Sequence, residues 1–252
     1  MKLSIVVPVC NEESTIAAVI DRVHAVALPI DREVIVVNDG SRDGTAGRIA
    51  AARVRYPAMI AIELAQNAGK GAAIAAGVAK ASGDIVVVQD ADLEVDPGEH
   101  ARLLQPILAG GADVVYGSRF LGQPVAMTVN AIANRMLTRL TNVLYGARIT
   151  DMETAHKMMR RAVFDRLRLE CRRFDFEPEI TAKLLRCGYR IHELPIAYKP
   201  RTREEGKKIK WQDGLVAVRV LFRYRFAPFS RIVRDAAAGG NRGFVARAHR
   251  RP

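Results

Sequence analysis

Two aspartates one residue apart, Asp90 and Asp92, are the most informative chemical feature of this chain. They follow Ile85–Val88, an apolar β-branched run that is typical of a strand buried on both faces of a parallel sheet. The carboxyl ends of such strands face the crevice in which open α/β sheets bind ligands. Two carboxylates there could hold a hard divalent cation and bridge it to substrate phosphates. Taken alone, the pair is equally compatible with a polar loop that simply follows a strand.

Three further polar or glycine-rich loops follow predicted strands, at residues 8–13, 38–41 and 67–71. Because the carboxyl ends of parallel strands lie at one edge of a sheet, we expect these loops to converge with Asp90 and Asp92 on one site. Each loop would be a weak signal by itself. Their convergence therefore carries the prediction of a ligand site.

The residue types in these loops indicate a nucleotide ligand. Asp39 is suited to accept hydrogen bonds from the amino and imino edge of a base. Gly69 and Gly71 let the backbone approach a phosphate closely, and Lys70 offers that phosphate a positive charge. Neither the P-loop spacing nor the dinucleotide fingerprint after the first strand is present. The sequence therefore disfavours an ATPase and a dehydrogenase.

The elements that must position these loops alternate between strands and helices, which predicts an α/β fold with a mainly parallel, Rossmann-like sheet. The predicted strands are residues 3–9, 33–37, 59–64, 85–89, 113–116 and 191–197. The predicted helices are residues 15–26, 70–80, 126–144 and 177–187, with a short element at 162–169 and a basic amphipathic helix from Lys207. Ser14 or Thr15 is expected to cap the first helix.

The composition of the 252 residues, 49% hydrophobic and 26% charged, is that of an ordinary globular protein. Residue 1 leads directly into a strand-like segment, so no signal peptide is expected. Residues 215–222 are interrupted by Arg219 and are too short for a transmembrane helix. Cys10, Cys171 and Cys187 fit neither a disulfide framework nor a zinc site, which favours a reducing cytoplasm.

The net charge of +12 is concentrated near the C-terminus. Residues 199–225 contain nine basic and three acidic side chains, and residues 231–252 contain six arginines and one acid. Basic clusters of this kind bind nucleic acid or anionic lipid, and a solvated tail is the alternative. No nucleic-acid-binding motif accompanies the cluster, so nucleic acid is the least favoured partner. The last 20 or so residues are predicted to be poorly ordered.

The four loops together resemble the family 2 glycosyltransferases of GT-A fold. The matching segments are residues 6–13, 36–45, 67–71 and 90–92, in that order. Residues 117–119 and 201–208 resemble, more narrowly, the dolichyl- and polyprenyl-phosphate mannose and glucose synthases. The resemblance covers roughly residues 1–225. It implies a domain at 1–228, with a nucleotide-sugar half (1–120) and an acceptor half (121–228), followed by an Arg-rich tail at 229–252.

The resemblance also assigns roles to residues. The residues implied to line the nucleotide-sugar pocket are Pro8, Cys10, Glu12, Val37, Asp39, Gly69, Lys70, Asp90 and Ala91. Those implied to hold Mg²⁺ or Mn²⁺ are Asp90, Asp92 and Glu94. The cations implied to bind the acceptor phosphate are Arg119, Arg201, Arg203, Lys207 and Lys208, and the implied catalytic residues are Asp92, Arg119, Arg203 and Asp151. Cys10 stands where the family more often has Tyr, Glu94 where it often has Gln, and His156 where an aromatic residue is usual.

The expected reaction is inverting, metal-dependent transfer of a hexose from a nucleotide sugar, of the GDP-mannose or UDP-glucose type, to a polyprenyl phosphate. A lipid monophosphate carries about −1.5 to −2 charges and can attack the anomeric carbon unaided. A hydroxyl acceptor, the first alternative, would need a general base, for which Asp151 and Glu153 are the candidates. A sugar-nucleotide-binding or membrane-interaction protein without catalysis is the second alternative.

A lipid acceptor would also explain the basic helix, which alternates basic and apolar residues from Lys207 to Phe226. Such a helix can lie in the interface of an anionic membrane. We therefore expect a cytoplasmic protein at the inner face of a membrane, with recruitment by a separate membrane subunit left open. A helix that packs on the core with a charged outer face is the alternative, and the two are compatible.

Overall fold

The computed structural model of the chain describes residues 1–122, 128–173, 175–201 and 211–234. Its strands are β1 (Lys2–Val9), β2 (Asp31–Asn38), β3 (Ile60–Glu63), β4 (Ile85–Val88), β5 (Val114–Ser118), β6 (Lys157–Arg160) and β7 (Ile191–Pro195). They form one seven-stranded sheet in the order β3-β2-β1-β4-β6-β5-β7. Among these strands β6 alone runs antiparallel to its neighbours, β4 and β5. The predicted α/β fold with a mainly parallel sheet is confirmed.

The described helices flank this sheet. They are α1 (Ile16–Ala25), α2 (Thr45–Arg55), α3 (Lys70–Lys80), α4 (His100–Leu108), α5 (Val129–Tyr145), α6 (Arg161–Arg166), α7 (Phe176–Arg186) and α8 (Trp211–Phe226). Short 3₁₀ turns occupy Pro97–Glu99 and Phe229–Arg231. Within the described ranges, no helix combines the length and the apolarity needed to cross a bilayer.

The core lies on both faces of the sheet because the central strands are apolar on both sides. β1 and β4 are built almost entirely from buried aliphatic residues, as the sequence predicts. Apolar side chains of α1, α2 and α4 pack on one face, and those of α3, α6 and α7 pack on the other. The packing fixes the strands in register, with Val6 beside Val88 and Val9 beside Asn38. The carboxyl ends of β1, β2 and β4 therefore lie at one edge.

A third apolar cluster joins α5, α7 and α8 beside the sheet. Leu221 and Tyr224 of α8 are buried there, and Leu140 and Leu144 of α5 pack against the cluster. The Tyr145 hydroxyl donates a hydrogen bond to the carbonyl of Leu221 at 2.6 Å. The core-packing interpretation of the basic helix thus holds for its inner face.

Several predicted boundaries shift in the structure. α5 begins at Val129, where the Thr128 hydroxyl accepts a hydrogen bond from the amide of Ala131. Thr15 occupies the N-cap position of α1, but its side chain makes no capping hydrogen bond. The strand β6 and the helices α2 and α4 have no counterpart in the sequence prediction. Residues 207–210 of the predicted basic helix and residues 235–252 of the predicted tail lie outside the described residues.

Candidate active site

The predicted convergence of loops occurs at the carboxyl edge of β1, β2 and β4. The loops after β1 and β2 are joined directly, because the Asn11 amide donates to the Ser41 hydroxyl at 2.9 Å and the Arg42 amide donates to Asn11 Oδ1 at 2.8 Å. Asn11 has a φ of 52°, a left-handed conformation that Asn tolerates better than most residues. The Asn67 side-chain amide donates to Cys10 Sγ at 3.0 Å, which brings the third loop to the same edge.

Asp39 holds the glycine-rich loop in place. Its two carboxylate oxygens accept hydrogen bonds from the amides of Ala68 and Gly69, at 2.7 and 2.8 Å. The side chain is buried, with 3% of the residue exposed. Contact between Asp39 and a base, as the resemblance implies, would use the remaining acceptor capacity of these oxygens. Its observed role is to position the loop.

Three of the implied nucleotide-pocket residues lie in the core. Pro8 and Val37 are register partners in β1 and β2, and Val37 packs with Ala73 beneath α3. Ala91 belongs to the apolar cluster on the opposite face of the sheet, although its carbonyl accepts a hydrogen bond from the Thr15 hydroxyl at 2.7 Å. These side chains are therefore part of the core that supports the loops at the carboxyl edge of the sheet.

Lys70 is held between two carboxylates. Its Nζ lies 2.8 Å from Asp90 Oδ1 and 2.7 Å from Glu177 Oε1. Burial by itself would lower the pKa of Lys70, but the two acidic neighbours outweigh it and raise that pKa above its usual value. In this structure Lys70 therefore neutralises acidic side chains and does not project as a lone cation. Glu177 was missed by the sequence analysis, since acidic residues in the first turn of a helix are common for reasons of helix dipole alone.

The loop that carries Asp92 is rich in negative charge. Burial, followed by the charges of Asp90 and Glu94, raises the pKa of Asp92 to about 7. Asp92 Oδ1 accepts a hydrogen bond from the amide of Glu94 at 3.1 Å. Between them Leu93 has a φ of 60°, in the left-handed region that an aliphatic residue rarely adopts. Strain of this kind is found where a loop is held in one functional shape.

The donor set of this loop fits a divalent cation at two of the three predicted positions. Carboxylate oxygens are the preferred ligands of Mg²⁺, and the mutual repulsion at Asp90 and Asp92 is what a cation would relieve. Glu94 differs, because its two oxygens accept hydrogen bonds from the Tyr198 hydroxyl and the Arg201 amide, each at 3.0 Å. Within the described residues no cluster of three or more His, Cys, Asp or Glu side chains has a metal-binding arrangement.

Arg201 holds residues 198–201 against residues 90–95, the loop that carries Asp90, Asp92 and Glu94. Its Nε donates to the carbonyl of Asp92 at 2.8 Å, and its Nη2 lies 2.8 Å from Glu12 Oε2. Together with the Tyr198–Glu94 contact, these bonds link the loops after β1 and β4 to the chain that leads toward α8. Arg201 thus lies beside the carboxylates, where its observed contacts make it a tether between loops. The other predicted cations of this segment, Arg203, Lys207 and Lys208, lie outside the described residues.

Arg119 and Asp151 form a buried, two-pronged ion pair. Arg119 Nε and Nη2 lie 2.7 and 2.8 Å from the two oxygens of Asp151, whose side chain is fully buried. The Arg119 amide adds a third bond at 3.0 Å. The guanidinium also lies 5.2 Å from the ring centroid of Tyr198, which places it beside the tethered segment. Asp151 therefore serves as the counterion of Arg119 and is poorly placed to act as a general base.

Glu153 has the properties that Asp151 lacks. Burial, followed by the charge of Glu177, raises the pKa of Glu153 to about 7. Its Oε1 is buried and makes no hydrogen bond among the residues that the structure describes. The neighbouring Lys157 donates from Nζ to the carbonyls of Met152 and Thr154, each at 2.7 Å, and burial lowers its pKa to about 8.

The chain is similar in sequence to several known proteins. A family model described as Glycosyl transferase family 2 matches residues 4–168. The chain is 34% identical over 215 residues to an undecaprenyl-phosphate 4-deoxy-4-formamido-L-arabinose transferase of Pseudomonas aeruginosa, covering 81% of this chain and 60% of that protein. A protein of the same name from Aeromonas hydrophila is 32% identical over 210 residues, covering 81% and 62%. The chain therefore spans about three fifths of the length of these relatives.

Solved structures share the fold at lower identity. Glucosyl-3-phosphoglycerate synthase from Mycobacterium tuberculosis, in complex with Mn²⁺, UDP and phosphoglyceric acid, matches with a TM-score of 0.71 and 22% identity over 90% of this chain and 79% of that one. Its complex with Mg²⁺ and UDP matches with a TM-score of 0.69, at 22% identity over 90% and 80%. The likeness supports the GT-A arrangement of sheet and helices.

Proposed function

The chain belongs to glycosyl transferase family 2, and on that premise we propose that it transfers a glycosyl group from a nucleotide sugar to a polyprenyl phosphate. The names of the relatives from Pseudomonas aeruginosa and Aeromonas hydrophila support an undecaprenyl-phosphate acceptor. The UDP, Mn²⁺ and Mg²⁺ in the complexes of the Mycobacterium tuberculosis synthase support a nucleotide donor and a divalent cation. We further propose a hexose donor of the GDP-mannose or UDP-glucose type and inversion at the anomeric carbon.

The observation that carries this proposal is the buried pair of Arg119 and Asp151. The pair fixes a guanidinium beside Tyr198, whose hydroxyl binds Glu94, and it occupies the carboxylate of Asp151 that would otherwise be a candidate base. A phosphate acceptor needs a cation and no base, because it is already ionised near neutral pH. A hydroxyl acceptor needs a general base, because a hydroxyl is a poor nucleophile near neutral pH. The arrangement at Arg119 therefore favours phosphate.

In the proposed mechanism, Asp90 and Asp92 would hold Mg²⁺ or Mn²⁺, and that cation would neutralise charge on the diphosphate leaving group. Asp39 and the loop that it braces receive the nucleotide. Arg119 orients the acceptor phosphate and screens its repulsion from the donor, so that the phosphate oxygen can attack the anomeric carbon in line. Arg201 keeps the loops together and closes the site from the side of α8.

Glu153 supports a second candidate function, transfer to a saccharide or small-molecule hydroxyl. A carboxylate whose pKa lies near 7 can take a proton from a hydroxyl at neutral pH. Its unpaired buried oxygen leaves capacity for that proton. Asp151 is not carried into this alternative, because both of its oxygens bind Arg119.

We also propose that the outer face of α8 contacts an anionic membrane on its cytoplasmic side. Leu215, Phe222 and Phe226 are exposed on this helix, and Arg219 and Arg223 lie among them. Apolar side chains with interspersed arginines suit the interface of a bilayer that carries negative headgroups. α5 packs against α8 and exposes further apolar residues, namely Val129, Ile132, Met136 and Val143. A separate membrane-anchoring partner is compatible with this contact.

A transfer assay tests the proposal. Labelled UDP- and GDP-sugars are offered with undecaprenyl phosphate, with Mn²⁺, with Mg²⁺, or with chelator, and label in the lipid phase is counted. We expect metal-dependent lipid product that is lost in Asp92→Asn and kept in Asp165→Asn, a matched change at an exposed carboxylate. Product on a soluble hydroxyl acceptor that disappears in Glu153→Gln would instead establish the second function. Donor binding without any product would establish a binding protein.

A further inference from the structure

Gln89 joins the two ends of the loop that carries the carboxylates. This side chain is fully buried and directly follows β4. Its Nε2 donates hydrogen bonds to the carbonyl of Asp90 at 3.0 Å and to the carbonyl of Val95 at 3.2 Å. The amide thus closes residues 90–95 into a compact loop, with Asp92 and the left-handed Leu93 inside it.

His156 fixes the orientation of that amide. Its Nε2 lies 2.9 Å from Gln89 Oε1, and its own side chain is fully buried. Because the Gln89 nitrogen donates to two carbonyls, Oε1 must accept, and His156 must carry its proton on Nε2. Burial, with a smaller effect from the charge of Lys70, lowers the pKa of His156 to about 3. The imidazole therefore stays neutral and keeps this hydrogen bond across the working pH range.

The backbone of His156 is anchored on the acceptor side of the sheet. Its carbonyl accepts a hydrogen bond from the amide of Gly117 in β5 at 2.9 Å. The Thr154 hydroxyl donates to the Gly117 carbonyl at 2.5 Å, which fixes the same turn. The His156–Gln89 bond consequently connects the segment that contains Asp151 to the loop that contains Asp92.

We propose that His156 and Gln89 are positioning residues that set the shape of residues 90–95, and thereby the geometry in which Asp90 and Asp92 hold a divalent cation with its nucleotide. The inference rests on the proposed function, which assigns the cation to these two carboxylates. Groups behind a metal site commonly tune its affinity in this way, because they orient the ligands that touch the metal.

The pair can be tested by separating stability from positioning. In His156→Phe the buried oxygen of Gln89 loses its donor, so both the unfolding midpoint and the affinity for Mn²⁺ with UDP or GDP should fall. In the double variant Gln89→Met, His156→Phe the buried oxygen that lacked a donor is removed, but the carbonyls of Asp90 and Val95 lose the Gln89 donor, so the midpoint should recover only in part. The affinity for Mn²⁺ should remain about tenfold or more below the wild-type value, because the Gln89 hydrogen bonds that close residues 90–95 are still missing.

Hydrogen exchange of the free protein provides a readout that needs no ligand. Amides of residues 90–95 should exchange faster in both variants than in the wild type. His100→Phe is the matched control, since His100 is a buried histidine whose ring centroid lies 5.1 Å from that of His156 but whose ring nitrogens make no hydrogen bond among the described residues. It should leave exchange in residues 90–95 unchanged.

The outcomes separate the inference from the proposed function. Wild-type exchange in residues 90–95 and wild-type Mn²⁺ affinity in the double variant would overturn the positioning role. Absence of Mn²⁺ binding with UDP or GDP in the wild type would refute the assignment of the cation. In that case the exchange measurement alone tests the positioning role. Faster exchange of residues 90–95 in the variants supports it, and unchanged exchange overturns it.

Discussion

Replacing Asp151 by asparagine should lower the free energy of unfolding by about 3–5 kcal/mol, the usual cost of leaving one member of a buried ion pair unpaired. Asparagine keeps the shape of the side chain, but its NH₂ group would face a guanidinium N–H, donor against donor. The side chains of Arg119 and Asp151 are 11% and 0% exposed, so solvent cannot compensate either group. For a chain of this size the expected fall in melting temperature is about 6–20 °C.

Urea unfolding of the wild type and Asp151→Asn measures this difference directly. Asp165→Asn is the control, because its partner Arg161 lies 3.2 Å away on the same helix and the side chains are 26% and 50% exposed for Arg161 and Asp165. That change should cost no more than about 0.5 kcal/mol. A variant Asp151→Asn that is as stable as the wild type and inactive would refute the reasoning, since it would make Asp151 a base and not a counterion.

Three further predictions concern other parts of the chain. The folded-state pKa of Glu153, about 7, lies above its ordinary 4.5, so stability should fall as pH rises through that window, and Glu153→Gln should flatten the fall in urea midpoints between pH 5 and 8. Gly69→Ala should destabilise the fold by more than about 1 kcal/mol, because φ is 98° and the added Cβ would collide with the carbonyl oxygen of Arg172; thermal melts measure this. Phe222→Glu with Phe226→Glu should reduce flotation with anionic vesicles, and unchanged flotation would remove α8 from the proposed membrane contact.

The convergence of the loops was predictable because strand type can be inferred from local sequence. β4 is a continuous run of β-branched residues and β1 contains the run Ile5-Val6-Val7, which is the pattern of parallel strands buried on both faces. Once the strands are parallel, their carboxyl ends and the loops that follow must share an edge. Asp39, Asp90 and Asp92 could therefore be placed together without any knowledge of packing.

The ionic partners within the site could not be predicted, because they depend on contacts between distant residues. Lys70 and Glu177 are separated by 107 positions, and no local pattern relates them. Arg119 and Asp151 each have the residue type of a catalytic group, and only their mutual distance shows that Asp151 is the counterion of Arg119. Residue type predicts which chemistry a side chain can perform, but the partners that it contacts in the fold decide which of its atoms can still bind a substrate.

The elements that were not predicted also have local reasons. β6 reads Lys-Met-Met-Arg, with no β-branched residue, and it becomes a strand through pairing with β4 and β5 on either side. α4 contains Pro106 and α2 contains Gly47, residues that lower intrinsic helix propensity. Packing on the sheet outweighs propensity in all three cases.

The position of β6 between β4 and β5 bears on how the chain is made. During synthesis β4 emerges long before its neighbour β6, and β5 emerges before both of its neighbours, β6 and β7. Until residue 160 is available, the edge of β4 is an open template for pairing with other chains. The division near residue 120 separates the proposed donor and acceptor roles along the chain. A fragment cut there would nevertheless contain β5 without β6 and β7, the two strands that pair with it.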